Sequence, residues 1–360
     1  MSKILLLSEC SYRNPTFRVV LDSLAREYAC RGHSVRVAAP FSPNGLSAPK
    51  AGGRRRASWG ALVSLGKSRR PSEAVEAIYA QTLPHADWAE CVHLHLVGDY
   101  TELVPRLDAR LRFARTPVLA TFHDYLNPSI RRTPESVAGY AALLRGRRVT
   151  ALSRYGRNLL LEDFPFLKGR IAVVPEGARL ETPARGALQK PFVLCPAWQA
   201  YYKAPDVLLM AWAGLQSPPT LAFAGQEHGG HARALARRLG LIRSGKVKFL
   251  GQISHRRMLG LMAESEFVVL PSRHEFFGMA ALEAMALGKA VAASATGPAD
   301  FIKDGASGLL VPPGQIAPLS SALRRLLDDA PLRLRLGQAA ERAAQRYTWE
   351  SAAGLYLDLI

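Results

Sequence analysis

Glu275 and Glu283, eight residues apart, are the groups in this sequence best placed to do chemistry together. Phe267-Val-Val-Leu270 is fully apolar and reads as a buried parallel strand, Ala280 to Leu287 is built from strong helix formers, and Lys289 to Ala293 reads as the next strand. The loop between strand and helix carries His274, Glu275 and Gly278. In an open α/β sheet, ligands settle at the carboxyl ends of the strands, where the following helix turns unpaired N–H groups toward the crevice. An anion, most simply a phosphate, fits such a place. Glu275 in the loop and Glu283 in the helix then flank that anion, and a carboxylate accepts two hydrogen bonds from vicinal hydroxyls. Two polyols on either side of a diphosphate describe a nucleotide-sugar.

Set as Pro271-Ser-Arg-His-Glu-Phe-Phe-Gly278, followed by Leu282-Glu-Ala-Met-Ala-Leu-Gly288 and a strand, the pair resembles the Glu-x7-Glu motif of the retaining glycosyltransferases of the GT-B fold, specifically the large family 4. The resemblance implies an α/β protein with two Rossmann-like domains facing each other across a cleft and a C-terminal helix crossing back to the first domain. It places Glu275 on the donor sugar and Glu283 on the nucleotide ribose. Lys203 and the region of Gly278, with its neighbours Phe277 and Met279, would hold the diphosphate. The strand ends at Gly225 and Gly251 bring backbone toward the base, with Gln252 and Ile253 in main-chain contact, and Asp300 stands where the family has a glutamate near the donor. His123, at the end of strand Pro117 to Thr121, matches the strand-end histidine beside the donor sugar; with Glu275 and Lys203 it completes the implied catalytic set. His93 and His95 alternate along the preceding strand and fit packing or loop support better than metal ligation.

The chain departs from the family at three further places. Trp198 stands where an arginine, five residues before the lysine, usually helps neutralise the leaving diphosphate, so a cation from elsewhere, such as Arg273, would have to serve. The usual Gly-Gly pair of the first loop is replaced by Tyr12-Arg-Asn-Pro15; Asn14 tolerates a left-handed turn, whereas Pro15 cannot donate an N–H. Glu176 replaces the asparagine of a Pro-Asn-Gly turn. The sequence contains no Asp-x-Asp, so neither a cofactor nor an obligatory metal is expected.

A chain of 360 residues suggests two domains. Lys3 to Ser8, a helix from about Thr16 to Arg31, and Ser34 to Ala39 open a βαβ series; Arg148 to Ser153 and Arg170 to Gly177 close it. Glu181 to Lys190, polar and broken by Pro183 and Gly186, reads as a linker. The boundaries are therefore 1–182, completed by 346–360, and 191–345, with strands at Phe192, Leu221 and Val247 and a helix from Met258 to Ser265.

A net charge of +18, most of it in the first half, favours an anionic partner. Residues 45–72 carry Arg54, Arg55 and Arg56 among other cations, no acid, and the apolar run Trp59 to Leu65. Such a segment suits membrane-surface docking, with Trp59 at the interface, and equally a solvated loop that orders on an anionic acceptor. A nucleic-acid binder is disfavoured, because the basic segment lacks interleaved aromatics and any recognisable module. Cys10, Cys30, Cys91 and Cys195 show neither zinc nor disulfide spacing and are expected to be buried thiols. With no apolar run of eighteen residues and an amino terminus unlike a signal peptide, the expected location is cytoplasmic, peripheral on the inner membrane face if the basic segment engages lipid. The expected activity is retaining sugar transfer from a nucleotide-sugar to a lipid-linked or anionic glycan. The alternatives are a soluble natural-product acceptor or a transferase-derived binding protein without turnover.

Overall fold

The computed structural model describes residues 2–8, 15–40, 63–65, 85, 87–96, 116–124, 134–178 and 180–360. The described residues divide into two units, the first drawn from Met1–Leu126, Ile130–Gly177 and Trp349–Ile360, the second from Ala178–Thr348.

In the first unit, β1 (Lys3–Ser8), β2 (Ser34–Pro40), β3 (Val63–Leu65), β4 (Cys91–Leu96), β5 (Val118–Phe122), β6 (Arg148–Ala151) and β7 (Ile171–Val173) form one sheet ordered β3-β2-β1-β4-β5-β6-β7. All its pairings are parallel. Helices α1 (Pro15–Cys30), α2 (Pro134–Leu144) and α3 (Arg154–Asp163) belong to the same unit. Parallel strands covered on both faces are apolar throughout, and Ile4 to Leu7 of β1 are almost wholly buried; each such side chain contributes about 2 kcal/mol of burial. Pro15 opens α1, where its missing N–H removes nothing the helix would have used. Helix α3 starts at Ser153, whose hydroxyl accepts from the Gly156 N–H at 2.9 Å.

Two expectations change here. Val63-Ser-Leu65, the end of the run read as a docking core, pairs with β2 as the edge strand of the sheet. Cys30 is exposed, because it is the last residue of α1; Cys91 and Cys195 are buried. Arg54, Arg55, Arg56, Trp59, Asn14 and Cys10 lie outside the described residues.

The second unit repeats the plan with β8 (Phe192–Cys195), β9 (Thr220–Phe223), β10 (Val247–Phe249), β11 (Val268–Leu270), β12 (Val291–Ser294) and β13 (Leu309–Val311), ordered β10-β9-β8-β11-β12-β13. Its helices are α4 (Pro205–Ala213), α5 (His231–Arg238), α6 (His255–Glu264), α7 (Met279–Ala286), α8 (Ile316–Asp328) and α9 (Ala330–Ala344). Strand order reverses between β8 and β11, so the loops leaving those two strands part and open a crevice at their carboxyl ends. Helix α6 begins three residues earlier than Met258, because Ser254 caps it and accepts from the Arg257 N–H.

The segment read as a linker is strapped along α6. Ala184 N–H donates to the Arg256 carbonyl at 2.9 Å, Arg256 Nε donates to the Thr182 carbonyl at 3.0 Å, and Gly186 N–H donates to Glu264 Oε1 at 2.9 Å. The last helix, α10 (Trp349–Leu357), belongs to the first unit. There Arg31 Nη2 donates to the Glu350 carbonyl at 2.9 Å, and Tyr356 packs on His93 with ring centroids 4.7 Å apart.

Candidate active site

At the reversal point of the second sheet, the loop after β8 brings Lys203 to Glu275 in the loop after β11. Lys203 Nζ donates to Glu275 Oε2 at 2.6 Å, and Ser272 Oγ donates to the same oxygen at 3.2 Å. Both charged side chains are less than a fifth exposed. The two loops are also tied through backbone, Arg273 N–H donating to the Tyr202 carbonyl at 2.7 Å. Gly278 caps α7 with φ +103°, a conformation that favours glycine, and a Cβ there would press on Pro298. No side chain caps α7 and its first turn holds no acid, so its amino end stays suited to an anion. Phe277 is buried and Met279 half-buried beside it.

Glu283 lies on α7 and is nearly buried; its partner is His255, the first residue of α6, with Nε2 donating to Oε1 at 2.8 Å. His255 Nδ1 lies 3.6 Å from Glu181 Oε1. The strand-end turns close in on the same side: Gly225 N–H donates to the Gly251 carbonyl at 2.9 Å, and a Cβ on Gly225 would strike the Ala197 carbonyl. Gln252 and Ile253, partly exposed, lead directly into the Ser254 cap and His255.

His255 is the residue that sequence reasoning missed. The available cue was Ser254 as a helix cap, which makes His255 the first helical residue. The Glu283 hydrogen bond raises the His255 pKa, against the opposing effect of burial and with help from the Glu283 and Glu181 charges. A pKa raised on folding means that the charged pair stabilises the fold fully below the unfolded value of about 6.5, and that this is lost as pH rises through the higher folded value. Wild type is therefore expected to exceed His255→Ala in stability by about 1 kcal/mol below pH ~6.5, the gap closing at alkaline pH. Denaturant melts across the pH series check this; a gap that does not narrow would contradict it.

Other expected site residues are engaged differently. Arg273 forms a two-pronged pair with Asp206, at 2.8 and 2.6 Å, and stacks on Tyr201 at 4.2 Å, so its charge is already matched. Trp198 is 43% exposed and therefore accessible to a ligand. Asp300 ends a short 3-10 turn after β12, and its carbonyl accepts from the Tyr347 hydroxyl at 3.3 Å. Burial pushes the Cys195 thiol up to about 12 despite Lys203, which rules it out as a nucleophile at neutral pH.

In the first unit His123 is held at both ring nitrogens. Glu176 Oε1 lies 2.7 Å from Nδ1, and His95 Nδ1 lies 2.8 Å from Nε2. Glu176 thus fills its departure from the family turn with a specific job, the buried carboxylate partner of His123. His93 and His95 sit fully buried in the same layer, His93 Nε2 2.7 Å from Thr121 Oγ1 and Nδ1 3.1 Å from the Tyr28 hydroxyl. Burial pushes both imidazoles well below the usual histidine range.

Two parallel sheets of Rossmann-like order, one with a lysine–glutamate pair at its reversal point, define an α/β protein of two Rossmann-like units. Residues 182–343 match the model of Glycosyl transferases group 1, and residues 18–182 match Glycosyltransferase Family 4. The chain belongs to these glycosyltransferases of the GT-B fold. It is 33% identical over 281 residues to a D-inositol 3-phosphate glycosyltransferase of Streptomyces coelicolor, covering 73% of this chain and 59% of that protein. A second relative so named, from Corynebacterium urealyticum, is 28% identical over 83% of this chain and 78% of its own length. The chain spans 38% to 59% of the first three curated relatives it matches. The solved sucrose-phosphate synthase of Thermosynechococcus elongatus has the same fold, with TM-score 0.79 at 21% identity, covering 100% of this chain and 98% of that one. So does HepE from Anabaena in complex with UDP-glucose, with TM-score 0.76 at 19% identity, covering 99% of each.

Proposed function

We propose that this chain is a retaining glycosyltransferase that takes its sugar from a nucleotide diphosphate donor. The observation that carries the proposal is the Lys203–Glu275 pair at the β8/β11 reversal point, with Glu283 on the helix that follows. Without ligand the lysine and carboxylate neutralise each other. A diphosphate arriving at the amino end of α7 draws Lys203 toward its oxygens, and Glu275 is released to accept hydrogen bonds from the donor sugar. Charge developing on the departing diphosphate is then met by Lys203 and the α7 N–H groups, donors fixed before the reaction begins. Retention follows if the departing oxygen assists the acceptor hydroxyl on the same face, so no protein nucleophile is assigned. His123 is proposed beside the donor sugar, its ring oriented by Glu176 and His95. Glu283 takes the ribose, and the turns at Gly225, Gln252 and Ile253 take the base.

The acceptor proposed is an anionic polyol or lipid-linked glycan. The charge of +18 supports it, as does the phosphorylated acceptor in the names of the relatives. Among the described residues no helix is long and apolar enough to cross a membrane. Flotation with anionic and with neutral liposomes tests that contact: the wild type floats with the anionic ones alone, and replacing Arg54, Arg55 and Arg56 by alanine abolishes it. Equal retention of the triple variant would remove the membrane from the proposal.

A second reading, nucleotide-sugar binding without turnover, is favoured by one observation: exposed Trp198 stands where the family's arginine is expected, and Arg273 is matched to Asp206. A thermal-shift screen of nucleoside diphosphates and their sugar conjugates, followed by a turnover assay on whichever stabilises the protein, separates the two. Release of sugar supports the transferase; binding without release in any acceptor mixture supports the second reading.

A further inference from the structure

A carboxylate as enclosed as that of Glu283 is costly to hold ionised unless a donor meets it, and the fold supplies His255. Two ionised oxygens offer about four lone-pair positions. His255 uses one at Oε1, and a vicinal diol needs two, so both can be served at once. His255 also follows directly on the Gln252–Ile253 turn and the Ser254 cap, so one short segment reaches toward both the base and the ribose carboxylate. Its second nitrogen faces Glu181 in the strap that lies along α6. The charged groups around it are Glu283 from α7, Glu181 from the strap, and Arg256 and Arg257 of its own helix, which donate to the Thr182 and Gly186 carbonyls.

We propose that His255 is a positioning residue for the nucleotide ribose: it fixes the Glu283 carboxylate so that Oε2 and the remaining lone pairs meet two vicinal hydroxyls. The inference rests on the reading that Glu283 holds the ribose. Nucleotide binding then depends on His255 without His255 touching the ligand, and the strap carrying Glu181 is tied to the same grip. The imidazole acts through one N–H, so a side chain that reaches the same place with an amide N–H can replace it.

Calorimetric titration tests this with UDP and GDP, and with the 2′,3′-dideoxy form of whichever binds tighter. The proteins are wild type, His255→Ala and His255→Gln, each confirmed folded by its melting curve. Removing the hydroxyls is expected to weaken wild-type binding by about a hundred-fold or more, as two hydrogen bonds to a carboxylate disappear. His255→Ala is expected to weaken ribonucleotide binding about ten-fold and to lose only about ten-fold more with the dideoxy form, a smaller factor than wild type loses, because the two changes act on one interaction. His255→Gln restores most of the loss. If His255→Ala and wild type lose the same factor on deoxygenation, His255 is structural only and the inference is overturned. If wild type loses nothing, the ribose reading of Glu283 fails first and takes the inference with it; failure of both nucleotides to bind at millimolar concentration has the same effect.

Discussion

Glu275→Gln is expected to lower the rate of sugar release from the donor by about a hundred-fold while leaving nucleoside diphosphate affinity within about three-fold. The amide keeps the shape of the side chain but loses the charge that Lys203 meets at 2.6 Å and Ser272 at 3.2 Å. Hydrogen bonds from a sugar to a carboxylate are each worth about 1.5 to 3 kcal/mol, and a factor of ten in rate is about 1.4 kcal/mol, so losing one or two of them gives the expected range. Nucleotide affinity is spared because Glu283 and the α7 amino end, which are unchanged, carry that part of the ligand. Steady-state kinetics with titration calorimetry make the comparison. A variant that turns over at the wild-type rate would remove Glu275 from the chemistry, and one that loses nucleotide binding and turnover together would place it on the wrong half of the donor.

Gly260→Ala is expected to destabilise the second unit by about 3 kcal/mol, at the high end for overpacking, and to lower its melting temperature by roughly 10 °C. Gly260 lies in α6 where the strap crosses, and a Cβ would fall on the Ala184 carbonyl oxygen, with the Gly186 nitrogen close behind. Backbone on both sides leaves no flexible side chain to give way. The hydrogen bonds of Ala184 and Gly186 would part, and Glu181 would move from His255 with them. Gly214→Ala serves as the control: its φ is −82° and the nearest atom to a Cβ is 3.7 Å away, so little change is expected. Scanning calorimetry reads both. An unshifted melt for Gly260→Ala would mean that the strap does not lie against the helix.

The difference between these residues shows what could be read from the chain before its fold. The strand from Val268 and the helix to Ala286 were legible because a short apolar run, glycine and a block of helix formers each have a local cause. Glu275 and Glu283 could be placed on loop and helix from the apolar run and the helix formers around them, and Lys203 followed from resemblance. Contacts between distant segments could not be read that way. Nothing in Glu181 to Lys190 announces that it packs on α6; that follows from Gly260, more than seventy residues away, having no side chain. The His255–Glu283 and Glu176–His123 pairs likewise depend on strand order, which brings together segments that the sequence separates by 28 and 53 residues. Val63 to Leu65 could not be assigned to the sheet, because apolar character alone does not distinguish a lipid-docking run, a solvated loop and the edge of a sheet. Arg273 was offered as a substitute cation, and Asp206, in the first turn of α4 and 67 residues earlier, meets it instead.

Crystals grown with millimolar UDP or GDP give the most direct test of a donor site built from Lys203, Glu275 and Glu283. Density is expected with the ribose hydroxyls on Glu283, the diphosphate against the amino end of α7, and Lys203 Nζ turned from Glu275 to the phosphate oxygens. Nucleotide lodged away from residues 275–283, or a Lys203–Glu275 pair unbroken beside a bound diphosphate, would contradict the account.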